Sequence, residues 1–211
     1  RPRHLDPGEF PLNLNVEVTT RCNLACTFCT HTSLEKEQTG DISFDLYLKI
    51  LQEGETFGLA TVNLNGLGEP MLRKDMPEFI RAAKSHGVID VMFHTNGTIM
   101  NDTIASSLIE SGLDRIIFSV DSPDKATYEA MRLTRSSFLR AKRSTEYETV
   151  GTSWERMVHN VKSFIKRRND FHSQTPMVRV TMIVTDNTVH HVPQLVELWK
   201  EYADMITVQD L

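Results

Sequence analysis

The chain has 211 residues, of which 40% are hydrophobic and 24% charged, with a formal net charge of −5 at pH 7. That length can bury a sizeable core and fits one globular domain or a large fragment of one. The charge gives no general attraction to nucleic acid or to an anionic membrane, and no run approaches the roughly 18 apolar residues of a transmembrane helix.

Residues 1–13 carry three prolines and a glycine and read as an irregular lead-in without the apolar core of a secretory signal. Leu14 to Thr19 alternates apolar and polar residues and predicts a first strand. A cysteine-bearing loop follows, up to Gly40. Ser43 is an N-cap candidate for a helix ending near Gly58. Thr61 to Asn65 predicts a second strand, broken by the turn Gly66-Leu67-Gly68-Glu69-Pro70. Asp75 to His86 is helical in pattern, with Gly87 as its stop. Ile89 to His94 predicts a third strand, followed by the polar turn Thr95-Asn96-Gly97. Asn101 caps a third helix, to Ser111. Arg115 to Val120 predicts a fourth strand, ending at Asp121-Ser122-Pro123, with a fourth helix over Lys125 to Arg132.

Leu133 to Val150 breaks the rhythm and reads as a basic insertion. Its Arg135, Arg140, Lys142 and Arg143 are expected to form a solvated charge run. Ser153 caps a long helix to about Arg168. Val178 to Val184 predicts a fifth strand, Pro193 to Tyr202 a fifth helix and Met205 to Val208 a sixth strand. The chain opens without Met and stops at Leu211 just after a strand-like run, which points to a fragment of a longer protein.

Strand, turn and helix alternate along the chain, the pattern of a parallel α/β sheet covered by helices. Right-handed crossovers would curl six such strands into an open or partial barrel. The polar turns all follow strands, so they gather at the C-terminal edge of the sheet, where active sites of parallel α/β proteins lie.

The first of these turns carries Cys22, Cys26 and Cys29, the only three cysteines in the chain. An odd number at spacings of four and three is no disulfide framework, and unpaired thiols point to a reducing, cytoplasmic setting. Three thiolates can hold three corners of a [4Fe–4S] cluster and leave one iron open to an outside ligand. Two other readings remain: a zinc knuckle with His31 as fourth ligand, or buried inert thiols.

Cys22-xxx-Cys26-x-Phe28-Cys29 resembles the cluster motif of the radical S-adenosylmethionine (SAM) enzymes. Gly68-Glu69 is similar to the end of that family's Gly-Gly-Glu region. Thr95-Asn96-Gly97, Ser119-Val120-Asp121 and Tyr128-Glu129-Ala130-Met131-Arg132 resemble one large branch, whose longer members often append a SPASM domain. The likeness runs from about Leu14 to Val208. Leu67 departs from it, standing at the middle glycine position.

The resemblance implies a partial (β/α)6 barrel with outer helices, spanning 14–211. It implies a [4Fe–4S] cluster on Cys22, Cys26 and Cys29 and S-adenosyl-L-methionine as cofactor. An electron donor such as flavodoxin or ferredoxin would reduce the cluster. SAM is then cleaved, and the 5′-deoxyadenosyl radical abstracts a hydrogen from a substrate that the resemblance does not name.

By the same resemblance Glu69 accepts the SAM amino group, with Gly68 allowing close approach of the backbone. Ser119 and Asp121 face the ribose or sulfonium side, Arg132 the SAM carboxylate and Phe28 the adenine. Thr95 and Asn96 touch cofactor or substrate. Plainer roles stand beside these: a turn carboxylate for Glu69, a helix N-cap for Ser119 or Asp121, a helix-ending arginine for Arg132 and a core aromatic for Phe28. The alternative function is a non-catalytic cluster- or zinc-binding module on the same fold.

Overall fold

The structure, a computed structural model, describes residues 10–35, 38–134 and 154–210. Among them six strands follow the chain: β1 (Asn13–Asn15), β2 (Thr61–Asn63), β3 (Asp90–Thr95), β4 (Arg115–Ser119), β5 (Met177–Val184) and β6 (Met205–Asp210). Helices fill the connections: α1 (Phe44–Phe57), α2 (Met76–Ser85), α3 (Asp102–Glu110), α4 (Lys125–Met131), α5 (Trp154–Asp170) and α6 (Val192–Trp199).

Every strand pair is parallel, and the sheet order is the chain order, β1 to β6. That order has no reversal point. A doubly wound sheet has one, so this sheet winds in a single direction as a partial barrel does.

Local chemistry sets the helix boundaries. Ser43 Oγ accepts from Leu46 N at 3.2 Å, and Gly58 closes α1 at φ 74°. Asn101 Oδ1 accepts from Ile104 N at 3.0 Å at the start of α3. Asp124, and neither Ser119 nor Asp121, caps α4, accepting from Thr127 N at 2.7 Å. The cap positions satisfy amide groups that have no partner inside the helix.

The two sheet faces differ. Val62, Val91, Phe93, Ile116, Phe118, Val178, Val180 and Met182 are buried and share one core with Phe79, Ile80, Leu108, Val161 and Phe164 of the helices. Phe118 and Phe164 meet edge to face at 5.5 Å. The opposite, inner face is largely polar. Register aligns His94 with Ile117 and Arg179, and one step nearer the C-terminal rim it aligns Ser119 with Thr181 and Thr207.

Most element boundaries fall within two residues of the sequence expectation, and three of the differences have a visible cause. β1 is Asn13–Asn15 and not Leu14–Thr19. Val16 N still donates to Asn63 O at 2.8 Å, but Val18 O accepts from Ile42 N, and Thr19 bridges Asp41. The chain therefore leaves β2 to pair with the segment entering α1. β6 runs on to Asp210 because its pairing with β5 continues to Val184. α6 ends at Trp199, where the carbonyl of Trp199 accepts from Tyr202 and Ala203 in a turn. Residues 1–9 of the lead-in, 135–150 of the basic insertion and Ser153 lie outside the described residues.

Candidate functional site

The cysteine loop leaves the rim of the sheet after Thr19 and returns at Gly40. Its two ends are tied together: Thr20 N donates to Gly40 O at 2.9 Å, and Thr19 Oγ1 donates to Asp41 Oδ1 at 2.6 Å. Three further ties hold it over the strand ends. Glu69 N donates to Arg21 O at 2.8 Å, from the turn after β2. Ala25 N and Thr27 N donate to Leu133 O and Met131 O at 2.8 and 2.9 Å, at the end of α4.

The third tie is a closed ring of side chains. Asn96 Nδ2 donates to Asn23 Oδ1 at 2.9 Å, Asn23 Nδ2 donates to Thr98 Oγ1 at 2.9 Å, and Thr98 Oγ1 donates to Asn96 Oδ1 at 2.6 Å. Asn23 lies between the first two cysteines, so the ring links that loop to the turn after β3.

Glycine 68 exists for one of these approaches. A Cβ there would stand 2.1 Å from Thr19 O and 2.8 Å from Arg21 O. The close backbone neighbour of Gly68 within the protein is thus the cysteine loop.

Cys22, Cys26 and Cys29 are free thiols, each partly exposed. All three line one recess of about 230 Å³, together with Phe28, Gly68, Glu69, Thr95, Asn96, Ser119 and Arg132. Every site residue expected from the sequence lines it except Asp121. A larger groove of about 410 Å³ lies between α3 and α5, but none of the cysteines borders it.

Burial above all, with the charges of Glu69, Cys26 and Cys29, pushes the Cys22 thiol up to about 12 against the lowering pull of the Leu24 amide. Burial also raises Cys26, while the Arg132 charge pulls it back. Such thiols ionise when a metal takes the proton's place. Among the described residues no three His, Cys, Asp or Glu side chains gather around a single ion position. His31 is buried with Nε2 2.8 Å from Thr20 O and does not border the recess.

Glu69 is 3% exposed and heavily engaged. Its Oε1 accepts from Met71 N at 3.0 Å and Thr95 Oγ1 at 2.8 Å, and its Oε2 accepts from Asn96 N at 2.7 Å. Burial raises its pKa; these three bonds and the Arg132 charge oppose that rise. The carboxylate is therefore oriented by turns on two different strands.

Arg132 reaches the recess from the end of α4. Behind it Asp121 accepts from Arg132 Nε at 2.9 Å and from Ile183 N at 3.0 Å. Burial alone would lower the arginine's pKa, but Asp121, Cys26 and Tyr128 outweigh it, and the guanidinium stays charged. Both Asp121 oxygens accept bonds within the protein, and the side chain holds Arg132 in place.

Sequence reasoning singled out neither His94 nor Ile183, which also border the recess, nor Asn23 and Thr98, which brace it. His94 was legible in principle, because strand parity sets it two residues from Met92 on the same face. The ring partners had no local signal, since Asn23 and Thr98 are 75 residues apart.

Residues 16–198 match the family model described as the Radical SAM superfamily. The chain is 30% identical over 183 residues to the tungsten-containing aldehyde ferredoxin oxidoreductase cofactor-modifying protein of Pyrococcus furiosus, covering 86% of this chain and 46% of that protein. It is 32% identical over 198 residues to a probable GTP 3′,8-cyclase of Methanopyrus kandleri, covering 94% of this chain and 55% of that one. The chain thus spans about half the length of the curated relatives it matches. Among solved structures, Streptococcus suis SuiB bound to S-adenosylmethionine shares the fold at a TM-score of 0.73 and 18% identity, over 96% of this chain and 41% of that chain. AnSMEcpe with bound AdoMet does so at 0.70 and 18%, over 95% and 51%. With 183 of its residues inside the family model, the chain belongs to the radical SAM superfamily.

Proposed function

We propose that this chain is the core of a radical SAM enzyme, with Cys22, Cys26 and Cys29 as ligands of a [4Fe–4S] cluster and SAM as cofactor. One observation carries the reading: the three thiols and the buried carboxylate of Glu69 line a single recess at the C-terminal rim. The donor set fits the group. A lone metal ion would draw its ligand atoms to about 2.0–2.3 Å from one point, whereas a cluster takes each thiolate on a different iron.

When bound, this pair of cofactors supplies one-electron cleavage of SAM to methionine and a 5′-deoxyadenosyl radical. The chain's own residues bind and orient. A carboxylate offers about four acceptor positions, and Glu69 uses three, which leaves one on Oε2 for the ammonium of SAM. An ammonium there also offsets the burial that raises the Glu69 pKa. Arg132 is the cation for the SAM carboxylate, held charged by Asp121. Ser119 and Phe28 serve the ribose and adenine sides, and Thr95 and Asn96 act through Glu69. An outside electron donor, such as a flavodoxin or ferredoxin, would supply the electron for that cleavage.

The test is anaerobic reconstitution of the protein in its longest natural form, reduction with dithionite and chromatography for 5′-deoxyadenosine. The expected result is about four irons per chain and SAM-dependent product. A colourless, zinc-loaded protein that forms no 5′-deoxyadenosine would favour the non-catalytic module.

A further inference from the structure

Buried polar atoms in folded proteins almost always have a partner, so those without one mark places to explain. Among the described residues seven side-chain atoms are buried and unpartnered, and four sit on the inner face of the sheet: Asn63 Oδ1, Arg179 Nε, Thr181 Oγ1 and Thr207 Oγ1. They are not scattered. Thr181 stands in register between Ser119 and Thr207, and Arg179 lies one step below, in register with Ile117, which is itself paired with His94. Ser119 and His94 border the recess, so this face is its continuation into the barrel.

The arginine is the unusual member. Three carboxylates of the sheet and its rim are engaged elsewhere: Asp90 by Arg115, Asp121 by Arg132 and Ile183, and Glu17 by Leu67 N at 2.5 Å. Among the described residues Arg179 forms no ion pair. Its charge is nonetheless felt across the row, because burial first and Arg179 second hold the His94 imidazole below its ordinary pKa. Thr181 is only 5% exposed, so its hydroxyl is not simply solvated.

We infer that this inner face is a substrate subsite in which Arg179, flanked by the hydroxyls of Thr181 and Thr207, takes a carboxylate or phosphate group. A planar guanidinium binds either anion through parallel N–H donors, and two hydroxyls beside it supply further donors. Asn63 Oδ1, on β2, accepts from an N–H or O–H elsewhere on the same molecule. The substrate is therefore a small, polar, anionic molecule, or the anionic end of a larger one. This inference deepens the enzyme reading and rests on it.

The experiment measures anion binding to the reconstituted protein by equilibrium dialysis, with radiolabelled inorganic pyrophosphate in one arm and succinate in the other. One saturable site per chain is expected in at least one arm, and the arm that binds tells phosphate from carboxylate. Arg179→Met should weaken it at least tenfold, Thr181→Val about three- to tenfold, and Arg179→Lys should restore part of the loss. SAM affinity is measured in the same variants. Failure of wild type to bind either anion, or full binding by a folded Arg179→Met, overturns the subsite. A matching loss of SAM affinity in Arg179→Met also overturns it, since the arginine then serves the cofactor. Absence of SAM cleavage in wild type with anion binding intact would instead remove the enzyme reading and leave the anion site standing.

Discussion

Asp121 and Arg132 form a buried ion pair at the edge of the recess, 0% and 5% exposed, with Arg132 Nε 2.9 Å from Asp121 Oδ2. Asp121 sits at φ 56°, in the left-handed region that Asp and Asn tolerate best. Removing one partner of such a pair leaves a buried charge uncompensated, at a cost of about 3–5 kcal/mol. Asp121→Asn keeps the backbone preference and an acceptor for Ile183 N but strands Arg132. Urea unfolding should show that loss, and Asp121→Asn combined with Arg132→Met should recover most of it. A double variant as unstable as the single one would mean that the charge is not the cause.

Gly68→Ala places a methyl group against the backbone of the cysteine loop, 2.1 Å from Thr19 O. Backbone cannot swing aside as a side chain can, so the loop must shift. A destabilisation of about 1–3 kcal/mol is expected, the usual range for overpacking. Iron retained after reconstitution should fall although no ligand has changed. Gly40→Ala is the control, since nothing lies within 4 Å of its Cβ position. Equal iron content in the two variants would argue against the tight approach.

Glu69→Gln removes the charge that meets the SAM ammonium while keeping the shape of the side chain. Loss of one charge-assisted hydrogen bond, worth about 1.5–3 kcal/mol, weakens SAM binding roughly ten- to hundredfold. The cluster's visible absorption should remain. The pH dependence has a definite sign. Burial raises the folded-state pKa of Glu69 above its unfolded value. Its contribution to stability is therefore full at pH below the unfolded value and is lost as pH rises through the folded one. SAM-free Glu69→Gln should lack that fall. A variant with unchanged SAM affinity removes Glu69 from the cofactor site.

What could be read from the sequence follows from locality. Alternating apolar residues and the turns after Asn65, His94 and Ser119 identify strands β2 to β4 and gather Glu69, Thr95 and Ser119 at one rim. The three cysteines are seven residues apart at most and announce themselves. The length of β1 was not legible, because Val18 pairs with Ile42 across a loop instead of with β2. The pairing of Asp121 with Arg132 was not legible either, because only side-chain direction reveals that Asp121 accepts from Arg132 and Ile183. The polar row of Ser119, Thr181 and Thr207 needed register, which no single strand encodes.

His94 carries a second pH signature, opposite in direction. Burial and the Arg179 charge lower its folded-state pKa below the ordinary imidazole value. Its contribution to stability is complete above the unfolded value of about 6.5 and is lost as pH falls through that value toward the folded one. Urea unfolding of His94→Gln should therefore be less sensitive than wild type to acidification from pH 7.5 to about 5.5. Arg179→Met should raise the His94 pKa, read from its ring resonances by NMR. An unmoved resonance would separate the two side chains.

The ring of Asn23, Asn96 and Thr98 bears on how long the site holds its metal. Asn23→Ala breaks two of the three bonds and leaves the buried amide of Asn96 without an acceptor. An unsatisfied buried donor costs about 1–3 kcal/mol. The loop is still tied through Arg21, Ala25 and Thr27, so the fold should survive and the cysteines should still load. The tie between Cys22 and Cys26 is loosened specifically. Loss of cluster absorption under an iron chelator should then run about tenfold faster than in wild type, matching about 1.4 kcal/mol of lost restraint. Asn23→Asp keeps the acceptor for Asn96 Nδ2 but loses the donor to Thr98, so its rate should fall between the two. If all three proteins release their iron at one rate, the ring shapes the turn after β3 and does not hold the cysteine loop.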